Sequence, residues 1–477
     1  MRRSLIILVT TVLGISQINW EIEIVDSASS AYYDFWFNSL ALDTDEIPHV
    51  VYNKYDFEKI IYASRVDAGW QREIVDSAFH LCYGFSLIFD NNNTPHFSYA
   101  CKYDSLGKTY ICHTYRHSDS WITDSVDSID GDLGNYYWNF NTSIDLDTSG
   151  LPGIAYIAWN VEDSIHYIKY AHFNGINWDT SVVEYDSVYA NIQTSPTDWS
   201  PSLRFDGKNT PHIAFYHVYA LYHSDTLKIA HYDITLSRWI VNPVLCNIHA
   251  GIPVSLALNS QDYPYIAHSV DAGLYCTWWD GLFWRSEYTG EDIGWLSIRI
   301  VLDLDNSDNP HIAYNADPLA MRVRYCFKDT IWYLCGCIDP DSSAATWHPS
   351  LDFDEINNQP HVSYGYGVFS GIGLLKYAKG NFVGVEETRK KVLAEKHEIQ
   401  IYPNPTCDEI YIILPHQDMT LEIFDIAGHK IWDDVTEGCN STWDCRDKQG
   451  HKLPAGIYFV RLGIADHKEI KKIVLLR

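Results

Sequence analysis

Apolar and polar positions alternate with a period of two in short runs along most of the chain, the pattern of half-buried β-strands. Ser39-Leu40-Ala41-Leu42-Asp43 is one such run and Lys59-Ile60-Ile61-Tyr62-Ala63 another. A third kind opens on Pro and is almost wholly apolar, as in Pro48-His49-Val50-Val51-Tyr52. Proline suits the first residue of a strand, where its missing N–H costs no ladder bond. This run recurs at Pro95, Pro152, Pro211, Pro264, Pro310 and Pro360, at intervals of 47, 57, 59, 53, 46 and 50 residues. A fourth run opens on Trp, as in Trp70–Val75, Trp121–Val126, Trp178–Val183 and Trp239–Val244. Each copy thus predicts four antiparallel strands.

The ends of the array carry more information than the count. The seventh copy stops near Gly380-Asn381-Phe382 and lacks its Trp strand. A matching strand precedes the first copy: Trp20-Glu21-Ile22-Glu23-Ile24-Val25-Asp26-Ser27 parallels Trp70-Gln71-Arg72-Glu73-Ile74-Val75-Asp76-Ser77. A displaced strand that completes the last unit closes a ring and removes exposed sheet edges. Four-stranded repeats near 50 residues point the same way. The expected fold is all-β: a seven-bladed β-propeller over residues 17–382, closed by an N-terminal strand.

From residue 399 the pattern changes to six or seven short strands with Gly and Pro turns, read as a small Ig-like β-sandwich. Residues 383–398, with Arg389-Lys390-Lys391, form a charged linker. At the other end Arg2 and Arg3, the apolar Leu5–Leu13 and Gly14-Ile15-Ser16 have the layout of a secretory signal peptide, residues 1–16. No later stretch is apolar for long enough to span a bilayer, so no membrane span is expected in the mature chain.

Composition fits and narrows this picture. The 477 residues are 46% hydrophobic and 14% aromatic, with only three Met, which favours pleated surfaces over helices. The net charge of −28 argues against nucleic-acid partners, which need a basic footprint. Residues 383–477 carry 13 Lys/Arg against 16 Asp/Glu, so most of the acidity belongs to the repeats. The 11 Cys do not follow the repeat; Cys101 with Cys112 and Cys439 with Cys445 are the plausible local disulfides. Cys335-Gly336-Cys337 lacks a second pair at zinc spacing.

Candidate chemistry is thin. His49, His96, His212, His311 and His361 follow the repeat prolines, but repeat-related copies on separate blades satisfy turns more readily than they build one site. Asp43, Asp90, Asp145, Asp206, Asp303 and Asp354, with Asn259, end the first strand of each copy and suit turn capping. Asp303–Asp308 could offer oxygens to calcium but lacks the glycine and glutamate of an EF-hand loop, so no metal site is assigned. The strand-four tryptophans read as packing. A second series stands before the first strands: Trp36, Tyr83, Trp138, Trp199, Trp347 and the displaced Trp295. These either wedge between blades or form a face that stacks on sugars or grips a peptide. They are the candidate ligand-binding residues.

No catalytic layout stands out: there is no Gly-x-Ser-x-Gly elbow, His-Glu-x-x-His helix, phosphate-binding glycine loop or sialidase Ser-x-Asp-x-Gly-x-Thr-Trp box. No catalytic residue and no cofactor are assigned. The repeats resemble propeller repeats of exported bacterial proteins, a likeness that transfers no chemistry.

The C-terminal segment is more specific. It holds Ile399-Gln400-Ile401-Tyr402-Pro403-Asn404-Pro405, then Leu421-Glu422-Ile423-Phe424-Asp425-Ile426-Ala427-Gly428, then Pro454-Ala455-Gly456-Ile457-Tyr458-Phe459-Val460, and ends on Lys471-Lys472-Ile473-Val474-Leu475-Leu476-Arg477. Together these resemble the type A C-terminal sorting domain of the type IX secretion system of Gram-negative bacteria. Tyr402, Pro403, Asn404, Pro405, Asp425, Gly428, Gly456, Tyr458 and Lys472 carry the resemblance. It implies a partner, the type IX secretion machinery, and a product that is secreted or held on the outer cell surface. The resulting expectation is an exported propeller that binds an extracellular glycan or protein. A surface glycan hydrolase or lyase is the alternative, and a surface-layer structural role stands behind both. A deep channel with unrepeated polar residues would favour an enzyme, and a shallow aromatic face a binder.

Overall fold

The computed structural model describes residues 17–475 apart from 29–34, 36, 55–58, 68, 78–79, 104–107, 131–140, 161–164, 188–199, 218–224, 249, 294–298, 317–320, 342–343, 355, 368–370, 384–399, 403–409, 414–419, 427, 436–439 and 465–466. The expected signal peptide and all but the first residue of the expected linker therefore lie outside the described residues. The chain divides into two compact units, Met1–Val383 and Gly384–Arg477.

The first unit is all-β and consists of four-stranded antiparallel sheets. One sheet runs Asn38–Leu42, Pro48–Lys54, Lys59–Val66, Gly69–Asp76 in sequence order. Five more repeat that order, with first strands His80–Phe89, Ser143–Leu146, Ser202–Phe205, Ala250–Leu258 and Ile300–Leu304. In the remaining sheet Ala345–Asp354, Gln359–Gly367 and Gly373–Val383 are joined by Gln17–Ala28, which pairs antiparallel to Gly373–Val383. Burial follows the residue pattern: every residue of Pro48–Lys54 and of Pro310–Ala316 is buried, whereas Gly69–Asp76 has no buried residue.

In the six sheets of sequential order the first turn is built by one carboxylate or amide; in the sheet completed by Gln17–Ala28, Asp354 Oδ1 accepts Asn357 N instead, at 2.6 Å. Asp43 Oδ1 accepts the Asp45 and Ile47 amides, both at 2.9 Å, and Asp90, Asp147, Asp206, Asn259 and Asp305 repeat the contact. The third residue after each has a positive φ: Glu46, Asn93, Gly150, Asn209, Asp262 and Asp308. This corrects two members of the expected Asp series. Asp145 and Asp303 sit two residues too early, inside the first strand, and Asp147 and Asp305 make the turns. The Asp303–Asp308 oxygens are committed likewise, since Asp308 Oδ1 accepts Ser260 N at 2.8 Å. Among the described residues no cluster has the makings of a metal site.

Two of the repeat histidines close the same turns, while His96, His311 and His361 bond His113, Tyr325 and Tyr377 through Nδ1. His49 Nε2 lies 3.3 Å from Asp43 Oδ2 and His212 Nε2 3.3 Å from Asp206 Oδ2. Where Gly153 replaces the histidine, His172 reaches in from the facing strand to Asp147 Oδ2 at 3.2 Å. The repeat imidazoles are thus spent on structure.

Neighbouring sheets are tied by equivalent bonds. The amides of Leu87, Ile144, Leu203, Leu256 and Leu302 donate to Ser39, Ser86, Ser143, Ser202 and Ser255 of the preceding sheet at 2.9–3.2 Å. Leu40 N donates to Ser350 Oγ at 2.9 Å, so the sheet containing Gln17–Ala28 bonds the sheet that begins at Asn38. Only the position of Val301 lacks the serine. The strand-four tryptophans repeat this order. Trp121 packs edge-on against Tyr62, Trp178 on His113, Trp239 on Tyr170, Trp20 on Tyr325 and Trp70 on Tyr377. Such pairs contribute about 0.5–1.5 kcal/mol beyond area burial.

The second unit holds a three-stranded sheet, Gln400–Tyr402, Ile410–Ile413, Asn440–Trp443, and a four-stranded one, ordered Lys430–Val435, Thr420–Phe424, Gly456–Ile464, His467–Leu475. Ile410 and Trp443 from the first share a core with Leu421, Ile423, Tyr458, Val460 and Ile473 from the second.

Candidate functional site: a cavity between the first strands

A cavity of about 330 Å³ is lined by the first strand of every sheet in the first unit. Its wall is built in levels set by the strand register. The serines that tie the sheets together form the middle level. Two residues later come Ala41, Ile88, Asp145, Arg204, Asp303 and Asp352. Two residues before the serines, on the side where each chain enters from the previous sheet, Asn141, Ser200, Pro253 and Arg299 line the cavity.

The acidic level is mostly occupied with holding strands. Asp145 Oδ2 accepts Phe205 N at 2.6 Å and Asp352 Oδ2 accepts Leu42 N at 2.7 Å, each from the next sheet. Where Val301 removes the serine tie, Asp303 hydrogen-bonds Asp352 instead. Burial, and then the charge of Asp352, push the Asp303 carboxyl up to about 8, with Arg204 opposing. Asp145 is raised by burial and lowered by Arg204. One shared proton and the Arg204 guanidinium thus offset two of the three carboxylate charges gathered at this level.

The entry level differs. The Arg299 guanidinium is pulled down to about 10 by burial, and no carboxylate among the described residues opposes this. Burial, then Arg299, press the His348 imidazole down to about 3, so it stays neutral. His348 also holds a φ of 48°, an uncommon conformation for a side chain of this size.

Of the expected aromatic series, Tyr83 and Trp347 are described and both are buried, at 1% and 6% exposure. Trp347 fills the space a side chain on Gly365 would need. Tyr83 lies against Phe37. These two rings pack between strands and offer no stacking face. Trp36, Trp138, Trp199 and Trp295 lie outside the described residues. Counted from Asp147 and Asp305, the positions equivalent to Trp36 are Phe140 and Ile298, so Trp138 and Trp295 leave the series. Sequence reasoning missed the cavity wall because Arg204, Arg299 and Asn141 are single departures from a loose repeat. Their signal was present as charged or amide residues at first-strand positions that other copies fill with small or apolar ones.

The cysteines also differ from expectation. Cys82 and Cys101 face each other across paired strands with Sγ atoms 3.1 Å apart, whereas Cys112 faces Tyr99. Cys439 lies outside the described residues, and Cys445 is buried with a φ of 56°.

In the second unit Asp425 caps a turn by accepting His429 N at 2.8 Å, with Gly428 at φ 85°. Asp447, Gly450 and His451 repeat it. Gly456 opens the central strand, Tyr458 OH donates to Pro454 O at 2.8 Å, and Lys472 pairs with Phe459. Tyr402 pairs with Tyr411, while Pro403, Asn404 and Pro405 lie outside the described residues. Residues 400–476 match the secretion system C-terminal sorting domain. The sorting domain indicates secretion, in Bacteroidetes, to the outer cell surface or the extracellular space. It also implies handling by the secretion machinery. No helix among the described residues is long and apolar enough to cross a membrane.

No curated protein matches the chain. Solved structures similar to it include a protein of unknown function from Dyadobacter fermentans (9% identity, 76% of this chain and 99% of that one, TM-score 0.41). Others are the SapL1 lectin in complex with alpha methyl fucoside (10%, 65% and 99%, 0.41) and a PL25 ulvan lyase (12%, 74% and 94%, 0.49).

Proposed function

We propose that this chain is an exported or cell-surface seven-bladed β-propeller, closed by Gln17–Ala28, that binds an extracellular glycan in the cavity between its first strands. An Ig-like sorting sandwich at residues 399–477, after the linker, delivers it. The serine ties that run from sheet to sheet and return from Ser350 to Leu40 support the ring. So does the place of Trp20, which stands in its sheet as Trp121 does in another. The observation that carries the binding reading is the cavity itself. Its volume of about 330 Å³ falls at the lower end of the range for small-molecule sites, about 300–1,000 Å³. Its wall is polar, and it belongs to a protein addressed to the cell exterior. Trp36 and Trp199, which directly precede Phe37 and Ser200 in the sequence, are the residues proposed to stack on the sugar.

A glycan hydrolase or lyase is favoured by one observation, the Asp303–Asp352 pair with its raised titration, a hallmark of acid–base sites. The hydrogen bonding weighs against it. Asp352 is spent on Leu42 N and Phe353 N, and Asp303 on Leu304 N, so these carboxylates act as ties. The test is a glycan array followed by calorimetry, with each bound glycan then assayed for new reducing ends and for unsaturated products. Binding without turnover is expected and should weaken at least tenfold in Trp36→Ala/Trp199→Ala. Turnover would transfer the site to the enzyme reading, and absence of binding to any glycan would end both.

A further inference from the structure

Two polar atoms at the entry level of the cavity have no hydrogen-bond partner among the described residues, and they are of opposite kinds. One is the donor Arg299 Nη1, the other the acceptor Asn141 Oδ1. Both residues line the cavity, each two positions before the serine level. Asn141 is held in place by its other end, since Nδ2 donates to Ser200 Oγ at 3.0 Å. Arg299 lines the same cavity as a half-buried residue whose Nη1 is enclosed by protein.

A buried guanidinium is normally paired, because removing a charge from water is costly without a counter-ion. In this chain the imbalance is sharper, since acidic residues outnumber basic ones 62 to 34. Other enclosed cations here do find carboxylates: Lys54 on Asp26, Lys376 on Asp339, Arg324 on Glu291. Arg204, in the same cavity, is flanked by Asp145, Asp303 and Asp352. For Arg299 no carboxylate among the described residues opposes its charge, and the imidazole its charge acts on is the neutral His348. A planar fork with a free donor matches carboxylate or sulfate oxygens, while a free amide oxygen at the same level of the wall matches a hydroxyl. From this pairing we infer that the cavity takes an acidic sugar residue, its carboxylate or sulfate on Arg299 and a hydroxyl on Asn141.

This inference rests on the glycan-binding reading, and calorimetry on the full chain separates the two. The ligands are oligouronates, sulfated oligosaccharides, the neutral oligosaccharides of matching linkage, and inorganic sulfate. An acidic oligosaccharide is expected to bind at least tenfold more tightly than its neutral counterpart. Arg299→Gln should abolish that preference while leaving neutral binding in place, and Arg299→Lys should restore part of it. Asn141→Ala should weaken both saccharides but not inorganic sulfate. Arg299→Gln is expected to melt no lower than the parent, because it removes an uncompensated charge. A large drop in its melting temperature would make Arg299 structural and overturn the assignment. Equal affinity for acidic and neutral sugars, unchanged in Arg299→Gln, would overturn the acidic class and leave glycan binding standing. Failure of every saccharide, with or without sulfate binding, would overturn both.

Discussion

Asp26→Ala tests the junction between the two ends of the repeat array. Asp26 lies on Gln17–Ala28, the strand that completes the sheet of Gly373–Val383. Its carboxylate accepts Tyr52 OH at 2.8 Å, Lys54 Nζ at 2.7 Å and Arg72 Nη1 at 2.9 Å, all from the first sheet. The Asp26 and Lys54 side chains are only 7% and 10% exposed. Breaking a buried ion pair by removing one partner costs about 3–5 kcal/mol. The Tyr52 bond adds about 1 kcal/mol, while Arg72, half exposed, adds little. Relief of Lys54 toward solvent lowers the sum, so about 3–4 kcal/mol is expected, or roughly a 4–5 °C fall in melting temperature for a unit of this size. An internal standard exists. Asp127, on a strand that is fourth in its own sheet, bonds Tyr156 OH at 2.6 Å and the Lys169 ammonium. That pair is somewhat more exposed, so Asp127→Ala should cost the same or slightly less. Thermal and urea unfolding of both variants, monitored by tryptophan fluorescence, is the assay. If Asp26→Ala melts within 1 °C of the parent while Asp127→Ala falls, Gln17–Ala28 is not an integral fourth strand and the closed-ring reading fails.

Two further outcomes follow from buried titratable groups. Asp303 takes up a proton on folding, because its carboxyl is raised to about 8 from an unfolded value near 3.9. The native state therefore binds more protons, and stability declines as pH rises between these values. Asp303→Asn should flatten the difference in melting temperature between pH 5 and pH 8, leaving the smaller slope from Asp352, and an unaltered difference would refute the assignment. Cys82 and Cys101, with Sγ atoms 3.1 Å apart, should yield a cross-linked peptide when the secreted chain is digested without reductant; a Cys101–Cys112 peptide would contradict the strand pairing.

The strand order was legible because it depends on features that each copy must repeat: a proline where no ladder donor is needed, an Asx turn, a tryptophan on the outer strand. The duplicated Trp20–Ser27 text identified a strand displaced by more than 350 residues from its partner, Gly373–Val383, which propensity alone does not reveal. Register was harder. Asp145 and Asp147 are two residues apart, as are Asp303 and Asp305, and in a period-two strand both members of each pair lie on one face. Sequence spacing could not choose between them, and the backbone bonds at Ser149, Leu151, Ser307 and Asn309 do. The same ambiguity misplaced Trp138 and Trp295.

The cavity was illegible for the opposite reason, and this bears on where function lies in such a chain. Interactions repeated in every copy, such as serine ties, histidine-closed turns and edge-on tryptophans, satisfy needs that every copy shares. A ligand is a single object, and what contacts it need not be repeated. The first strands depart from their common text at Asn141, Asp145, Arg204, Arg299, Val301, Asp303 and Asp352, and all seven line one cavity. Part of that departure is self-compensating: Val301 deletes a tie, and the Asp303–Asp352 bond spans the same junction. Arg299 Nη1 and Asn141 Oδ1 have no such return among the described residues, although Asn141 Nδ2 bonds Ser200 Oγ. Local choices that disagree with the fold without a structural return are where selection for binding is most economically read, and here both line the cavity two positions before the serine level.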